Sequence, residues 1–225
     1  MYKLPTIVIQ FANEIDTSAL THFRGAVIAS LDEKSILFHN HDEDKLRYSY
    51  PLIQYKRIHK KAAVMGIGKG IEEVSQLLQP RDFNLLIGHD TVEMQIESVN
   101  AYDNEIVLSN QPVFNYQLRH WLPLNSYNYV QYRGLSSLIE RIQFLEDILI
   151  GNILSFLKGI DVYLDKQEQI ELHITNMTDQ HTLTYKKVKL MAFDIEFKAN
   201  ISLPQYIGLG KNASIGCGVL TNITN

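Results

Sequence analysis

Between Phe193 and Ile201 the chain alternates without a break. Phe193, Ile195, Phe197, Ala199 and Ile201 are apolar, and Asp194, Glu196, Lys198 and Asn200 between them are polar. Successive side chains of a strand point to opposite faces, so a period of two buries one face and wets the other. Strands of parallel sheets, covered on both faces, read instead as continuous apolar runs. This segment therefore calls for an antiparallel sheet with a covering layer on one side.

The rest of the 225 residues supplies that layer and the partner strands, and at ~150 residues per domain the length allows one large domain or two small ones. Thr6 to Phe11 is β-branched and short and reads as a buried strand. Asp16, Thr17 or Ser18 offers an N-cap for a helix whose apolar positions are Leu20, Phe23, Val27, Ile28 and Leu31. Tyr48 to Ile58 and Ala62 to Ile67 read as two strands. Ile71 to Leu78 reads as a short helix stopped before Pro80. Further strand candidates are Phe83 to Ile87, Val92 to Ile96 and Glu105 to Leu108. The order so far is β-α-β-β-α-β, the ferredoxin-like arrangement. A second pass starts near Pro112, with a strand over Val113 to Trp121 and one long helix over Tyr127 to Leu157, kinked at Gly151. Strands follow over Ile170 to Ile174 and Thr182 to Leu190, and then the alternating segment. The expected fold class is α+β, two tandem ferredoxin-like modules with antiparallel sheets, spanning 1–109 and 113–225.

Composition narrows the function classes. With 45% hydrophobic and 20% charged residues the chain is an ordinary globular one, not a disordered one. Its lone cysteine, Cys217, excludes an internal disulfide and a multi-cysteine zinc site, which fits a reducing compartment. No signal peptide is visible, and the most apolar stretch, Ile148 to Leu157, is too short to span a bilayer. The expected location is the cytoplasm. The formal charge of −4 does not announce a nucleic-acid binder, but its distribution is uneven. Lys45 to Gly70 holds Lys45, Arg47, Lys56, Arg57, Lys60, Lys61 and Lys69 and no acidic residue. Interleaved Tyr48, Tyr50 and Tyr55 add faces for stacking on unpaired bases, so the stretch reads as a polyanion site. A lysine-rich solvent face of a hairpin is the plainer alternative.

Two other constellations carry chemistry. Phe38-His39-Asn40-His41-Asp42-Glu43-Asp44, with Tyr48 following, fits a solvated turn. It also fits a zinc or manganese site if further ligands join the His-x-His pair. An acid–base site needs less, since one imidazole can take a proton and the other give one near neutral pH. Near the C-terminus, Gly208-Leu209-Gly210-Lys211-Asn212-Ala213-Ser214-Ile215-Gly216-Cys217-Gly218 concentrates four of the chain's 12 glycines. No strand–glycine–helix unit follows, which excludes a dinucleotide fingerprint, and the Gly-Lys-Ser/Thr of a Walker loop is missing. Freed N–H groups with Lys211 suit phosphates, and a glycine-laced hairpin without ligand is the alternative.

Together these features resemble one family, the CRISPR-associated repeat-processing endoribonucleases of the Cas-six type in the RAMP superfamily. The glycine-rich segment is similar to the superfamily's glycine-rich loop. His22-Phe23-Arg24-Gly25, His39-Asn40-His41 and Tyr48-Ser49-Tyr50-Pro51-Leu52-Ile53-Gln54-Tyr55-Lys56 resemble the b subfamily. The resemblance implies metal-independent cleavage of precursor CRISPR RNA within each repeat. The attacking group is a ribose 2′-hydroxyl, and the products carry 5′-hydroxyl and 2′,3′-cyclic phosphate ends. On that basis His39, His41 and Tyr48 are the expected catalytic residues. The expected RNA-binding residues are Lys56, Arg57, Lys60, Lys61, Lys69, Gly208, Gly210, Lys211, Ser214, Gly216 and Gly218. No cofactor and no metal ligand is assigned. Candidate partners are CRISPR repeat RNA, other CRISPR-associated interference subunits and a second copy of the chain. Alternative readings are a non-catalytic RNA-binding RAMP subunit and a metal-dependent hydrolase built on His39 and His41.

Overall fold

The computed structural model describes residues 2–31, 41–42, 45–46, 50–79, 83–185 and 187–223, with the backbone alone at 41–42 and 45–46. The chain divides into two compact units. One holds Lys3–Asn104 together with Ser214–Gly216, and the other holds Glu105–Ala213 and Cys217–Asn225 with the first two residues. Each is an α+β unit built on a four-stranded antiparallel sheet. No helix among the described residues is long and apolar enough to cross a membrane.

In the N-terminal unit, β1 (Tyr2–Glu14) leads through a 3-10 turn into α1 (Leu20–Ala29). Two short paired strands, β2 (His41–Asp42) and β3 (Lys45–Leu46), precede the hairpin of β4 (Ile53–Ile58) and β5 (Lys61–Ile67). Helix α2 (Gly70–Ser75), a hairpin of β6 (Asn84–Ile87) and β7 (Asp90–Glu93), and β8 (Ile96–Ile106) complete it. The sheet order β4-β5-β1-β8 is that of a ferredoxin-like module. Ile7, Ile9 and Phe11 on one face of β1 meet Leu20, Phe23 and Val27 of α1, and Phe11 and Phe23 meet edge to face at 5.8 Å. Among the described residues strand β4 starts at Ile53, beyond Pro51, which has no N–H to donate to a ladder. Val92–Ile96 is not one strand but the end of β7, a corner and the start of the long β8.

The C-terminal unit comprises β9 (Phe114–Trp121), α3 (Ser126–Gly134), α4 (Leu138–Gly159), β10 (Leu172–Tyr185), β11 (Val188–Ala199) and β12 (Val219–Asn222), with a 3-10 turn and no α-helix between β11 and β12. Its sheet order is β10-β11-β9-β12. The expected single helix is two helices, and the break falls at Leu135–Ser137 instead of Gly151. Ser137 caps α4 in a reciprocal capping box with Glu140, so local hydrogen bonding starts a new helix there. Gly151 sits inside α4 without interrupting it. Thr182 to Leu190, expected as one strand, straddles the hairpin between β10 and β11. The alternating segment behaves as its pattern demands: Phe193, Ile195, Phe197, Ala199 and Ile201 are all buried. Asn200 departs from it. It is buried because its amide bridges Glu171 N–H and the Gln169 carbonyl across to the start of β10.

Candidate nucleic-acid interface

The central part of the basic segment, Ile53 to Ile67, folds as the β4–β5 hairpin. Its two-residue turn, His59-Lys60, has both residues at positive φ, 48° and 69°. That is the mirror-image turn whose twist matches paired strands, usually filled by Asn-Gly because side chains are strained there. The turn is anchored from outside the hairpin: Ile15 N–H donates to the Lys60 carbonyl at 2.9 Å, and Arg57 Nε donates to the Ile15 carbonyl at 2.7 Å. Arg57, His59, Lys60 and Lys69 are exposed. Lys61 is ion-paired with Glu97, which partly cancels its charge at the surface. Lys56 is wholly buried, with 0% exposed, in the middle of β4 opposite Ala63. The two described tyrosines of the segment, Tyr50 and Tyr55, are not stacking platforms in the way their spacing suggests. Tyr55 shares the helix-covered face with Ile53, meets Phe23 edge to face at 5.9 Å, and its phenol is pushed far up by burial. Tyr50 is buried too, its hydroxyl accepting from Gln54 Nε2 at 2.8 Å.

Of the expected catalytic residues, His39 and Tyr48 lie outside the described residues. His41 is described by its backbone, which pairs with Leu46 in the β2–β3 hairpin.

The glycine-rich segment is a loop between β11 and β12 in which each glycine answers a packing demand. Gly216, at φ +83°, belongs to the N-terminal unit, and a Cβ on it would stand 2.5 Å from Leu20 Cδ1 of α1. Gly210 and Gly218 also have positive φ, and Gly208 and Gly218 are buried. Several N–H groups of the loop are engaged within the C-terminal unit. Leu209 donates to Gly218, Lys211 to Leu122, and Gly218 to His120. Lys211 itself is exposed at the rim of a cleft of about 360 Å³ shared with Asn125, Ser126, Tyr129 and Lys189. Its Nζ donates to the Leu124 carbonyl at 3.1 Å, and burial lowers its pKa. Ser214 is half-buried.

A cluster with no counterpart in the sequence reading stands on the C-terminal sheet. His120 of β9, His181 of β10 and Asp194 of β11 bring three donor atoms within 4.8 Å of one another. They are separated by 61 and 74 positions along the chain, so no spacing rule reveals them.

Residues 2–105 match the family described as the Cas6b N-terminal domain, and residues 108–223 match the Cas6b C-terminal domain. An uncharacterized protein of Methanocaldococcus jannaschii is 33% identical over 103 residues, which cover 46% of this chain and 67% of that protein. Among solved structures, one of Cas6b is similar with a TM-score of 0.82 and 29% identity, covering 99% of this chain and all of that one. Another, of the CRISPR RNA processing endoribonuclease Cas6b, has a TM-score of 0.72 at 24% identity with the same coverage and shows the shared fold.

Proposed function

The chain belongs to the Cas6b family, and from that premise we propose that it is an endoribonuclease that cuts precursor CRISPR RNA within each repeat. The observation that carries the reading is the match of both halves of the chain, end to end, to the two domains of that family. The 29%-identical Cas6b structure, aligned over 99% of the chain, supports it.

In the proposed reaction the nucleophile belongs to the substrate. A general base takes the proton of the ribose 2′-hydroxyl, and O2′ bonds to the adjacent phosphorus. The bond from phosphorus to O5′ breaks, and a general acid delivers a proton to the departing O5′. The products are a 2′,3′-cyclic phosphate and a 5′-hydroxyl. His39 and His41 take the acid and base roles, with Tyr48 assisting, because imidazoles exchange protons near neutral pH. No step in this scheme calls for a metal. The exposed cations Arg57, Lys60 and Lys69 of the N-terminal unit, and Lys211 of the C-terminal unit, are suited to hold the phosphates.

The test uses a repeat RNA with a single 2′-deoxy substitution at the cut site, in EDTA. Expected are binding without cleavage of that RNA and EDTA-insensitive cleavage of the all-ribose RNA. Cleavage of the deoxy RNA overturns the mechanism. Binding of both RNAs without cleavage of either identifies a non-catalytic RNA-binding subunit, and loss of activity in EDTA points to a metal-dependent hydrolase.

A further inference from the structure

We propose that His120, His181 and Asp194 form a site for one zinc-class divalent cation that ties β9, β10 and β11 together. The inference rests on the C-terminal sheet alone and is independent of the cleavage reading.

The site starts from a register shift. Phe193 faces Trp121 and Ile195 faces Leu118, so β9 spends the two residues Arg119 and His120 opposite the single Asp194. Such a bulge re-aims a side chain. Here His120 takes φ +52°, a conformation that costs a residue with a Cβ on the order of 1 kcal/mol. It is held from both sides: its N–H donates to Asp194 Oδ1 at 2.6 Å, and its carbonyl accepts from Gly218 N–H at 3.0 Å. On the other side of β11, His181 lies opposite Ala192. With so small a residue between them, the two rings meet above β11, edge to face, with centroids 5.1 Å apart. Leu122, Ala192 and Cys217 form a small buried apolar cluster on the same part of the sheet.

The donor geometry matches a metal. His120 Nδ1 is 3.0 Å from His181 Nε2 and 3.9 Å from Asp194 Oδ1. Zinc bonds of about 2.0–2.1 Å at tetrahedral angles place neighbouring ligand atoms about 3.3 Å apart, between these two values. A carboxylate has about four lone-pair directions, so Asp194 can bind a cation while keeping its backbone hydrogen bond. Two imidazoles and one carboxylate suit zinc and its borderline neighbours rather than magnesium or calcium. Beyond the three donors, Asp179 Oδ2 stands 3.2 Å from His181 Nδ1. That nitrogen is buried and makes no hydrogen bond. Asp179 thus stands beside the His181 nitrogen that does not face His120, within reach of the carboxylate hydrogen bond that orients metal-bound histidines. The two facing nitrogens stand at a separation that one bridging proton or one cation can fill. Coordination by His120 Nδ1 calls for the neutral tautomer with its proton on Nε2, which any imidazole can adopt.

The test is a titration of the untagged, EDTA-stripped full chain with Co²⁺, followed by displacement with Zn²⁺. Expected is one equivalent bound, with the visible absorption of a low-coordinate cobalt site, and a rise in melting temperature with Zn²⁺. His181→Gln and Asp194→Asn should each weaken binding by at least ~100-fold, and Asp179→Asn by ~10-fold. A combined His39→Ala/His41→Ala variant should bind as the parent does. Asp194→Asn also disturbs the His120 backbone, so His181→Gln, which leaves that hydrogen bond in place, is the deciding variant. The absence of saturable binding up to 100-fold excess of metal overturns the proposal. So does unchanged affinity in folded His181→Gln, or loss of binding in the His39/His41 variant.

Discussion

Gly216 shows at one residue how tightly the glycine-rich loop is specified. Its φ of +83° strains any residue with a side chain, and a Cβ there, 2.5 Å from Leu20 Cδ1, would force the buried Leu20 to shift. Gly216→Ala should destabilise the protein by about 2–3 kcal/mol, overpacking and left-handed strain together, and a lower urea midpoint at unchanged slope is the measurement. The conclusion that glycines permit close approach is available from the sequence; what approaches is not, because Leu20 lies 196 positions away. At the proposed catalytic residues the prediction is chemical. His39→Ala or His41→Ala should slow single-turnover cleavage by ~10²–10⁴-fold with RNA affinity nearly intact, and Tyr48→Phe should be milder. Full activity in the double variant would remove these residues from the mechanism. Lys56 marks the limit of reading charge from sequence. It sits in a basic run, yet it is buried while its neighbour Arg57 is exposed.

Among the elements, the β4–β5 hairpin separates folding from binding. Its turn holds Lys60 at φ +69°, where glycine is unstrained. Lys60→Gly should therefore raise the melting temperature slightly while weakening RNA binding, two opposite changes that a simple loss of structure cannot produce. The α3–α4 break gives a second prediction. Ser137 caps α4 by accepting from Glu140 N–H, and Ser137→Ala should cost about 1 kcal/mol in denaturant unfolding. Hydrogen bonds from Ser137 and Ser136 hold the Glu140 carboxyl below its ordinary pKa. Its contribution is thus present above the usual carboxylate range and fades as the pH falls through the lowered value. Both helices share one apolar periodicity, so the break is legible only in the Ser-x-x-Glu signature.

For the molecule as a whole the governing quantity is the distribution of charge, not its sum of −4. Each cation that contacts a single-stranded phosphate adds ~0.7 to the slope of log affinity against log salt. Lys60→Ala should flatten that slope by about one such contact, and Lys61→Ala by less, because Glu97 already occupies Lys61. A slope unchanged in the double variant would mean that the hairpin only solvates the sheet.

The α+β class, the ferredoxin-like order and the buried face of β11 follow from local pattern, since a period of two or 3.6 is a property of consecutive residues. Family membership was likewise readable, through short motifs that stay contiguous in the chain. Tertiary structure alone decided the rest. It turned Tyr50 and Tyr55 inward, paired Lys61 with Glu97, placed Ser214–Gly216 in the N-terminal unit, and set His120, His181 and Asp194 around one point. Each of these depends on which distant strands become neighbours and on a one-residue bulge in their register. Periodicity within a segment carries no information about either.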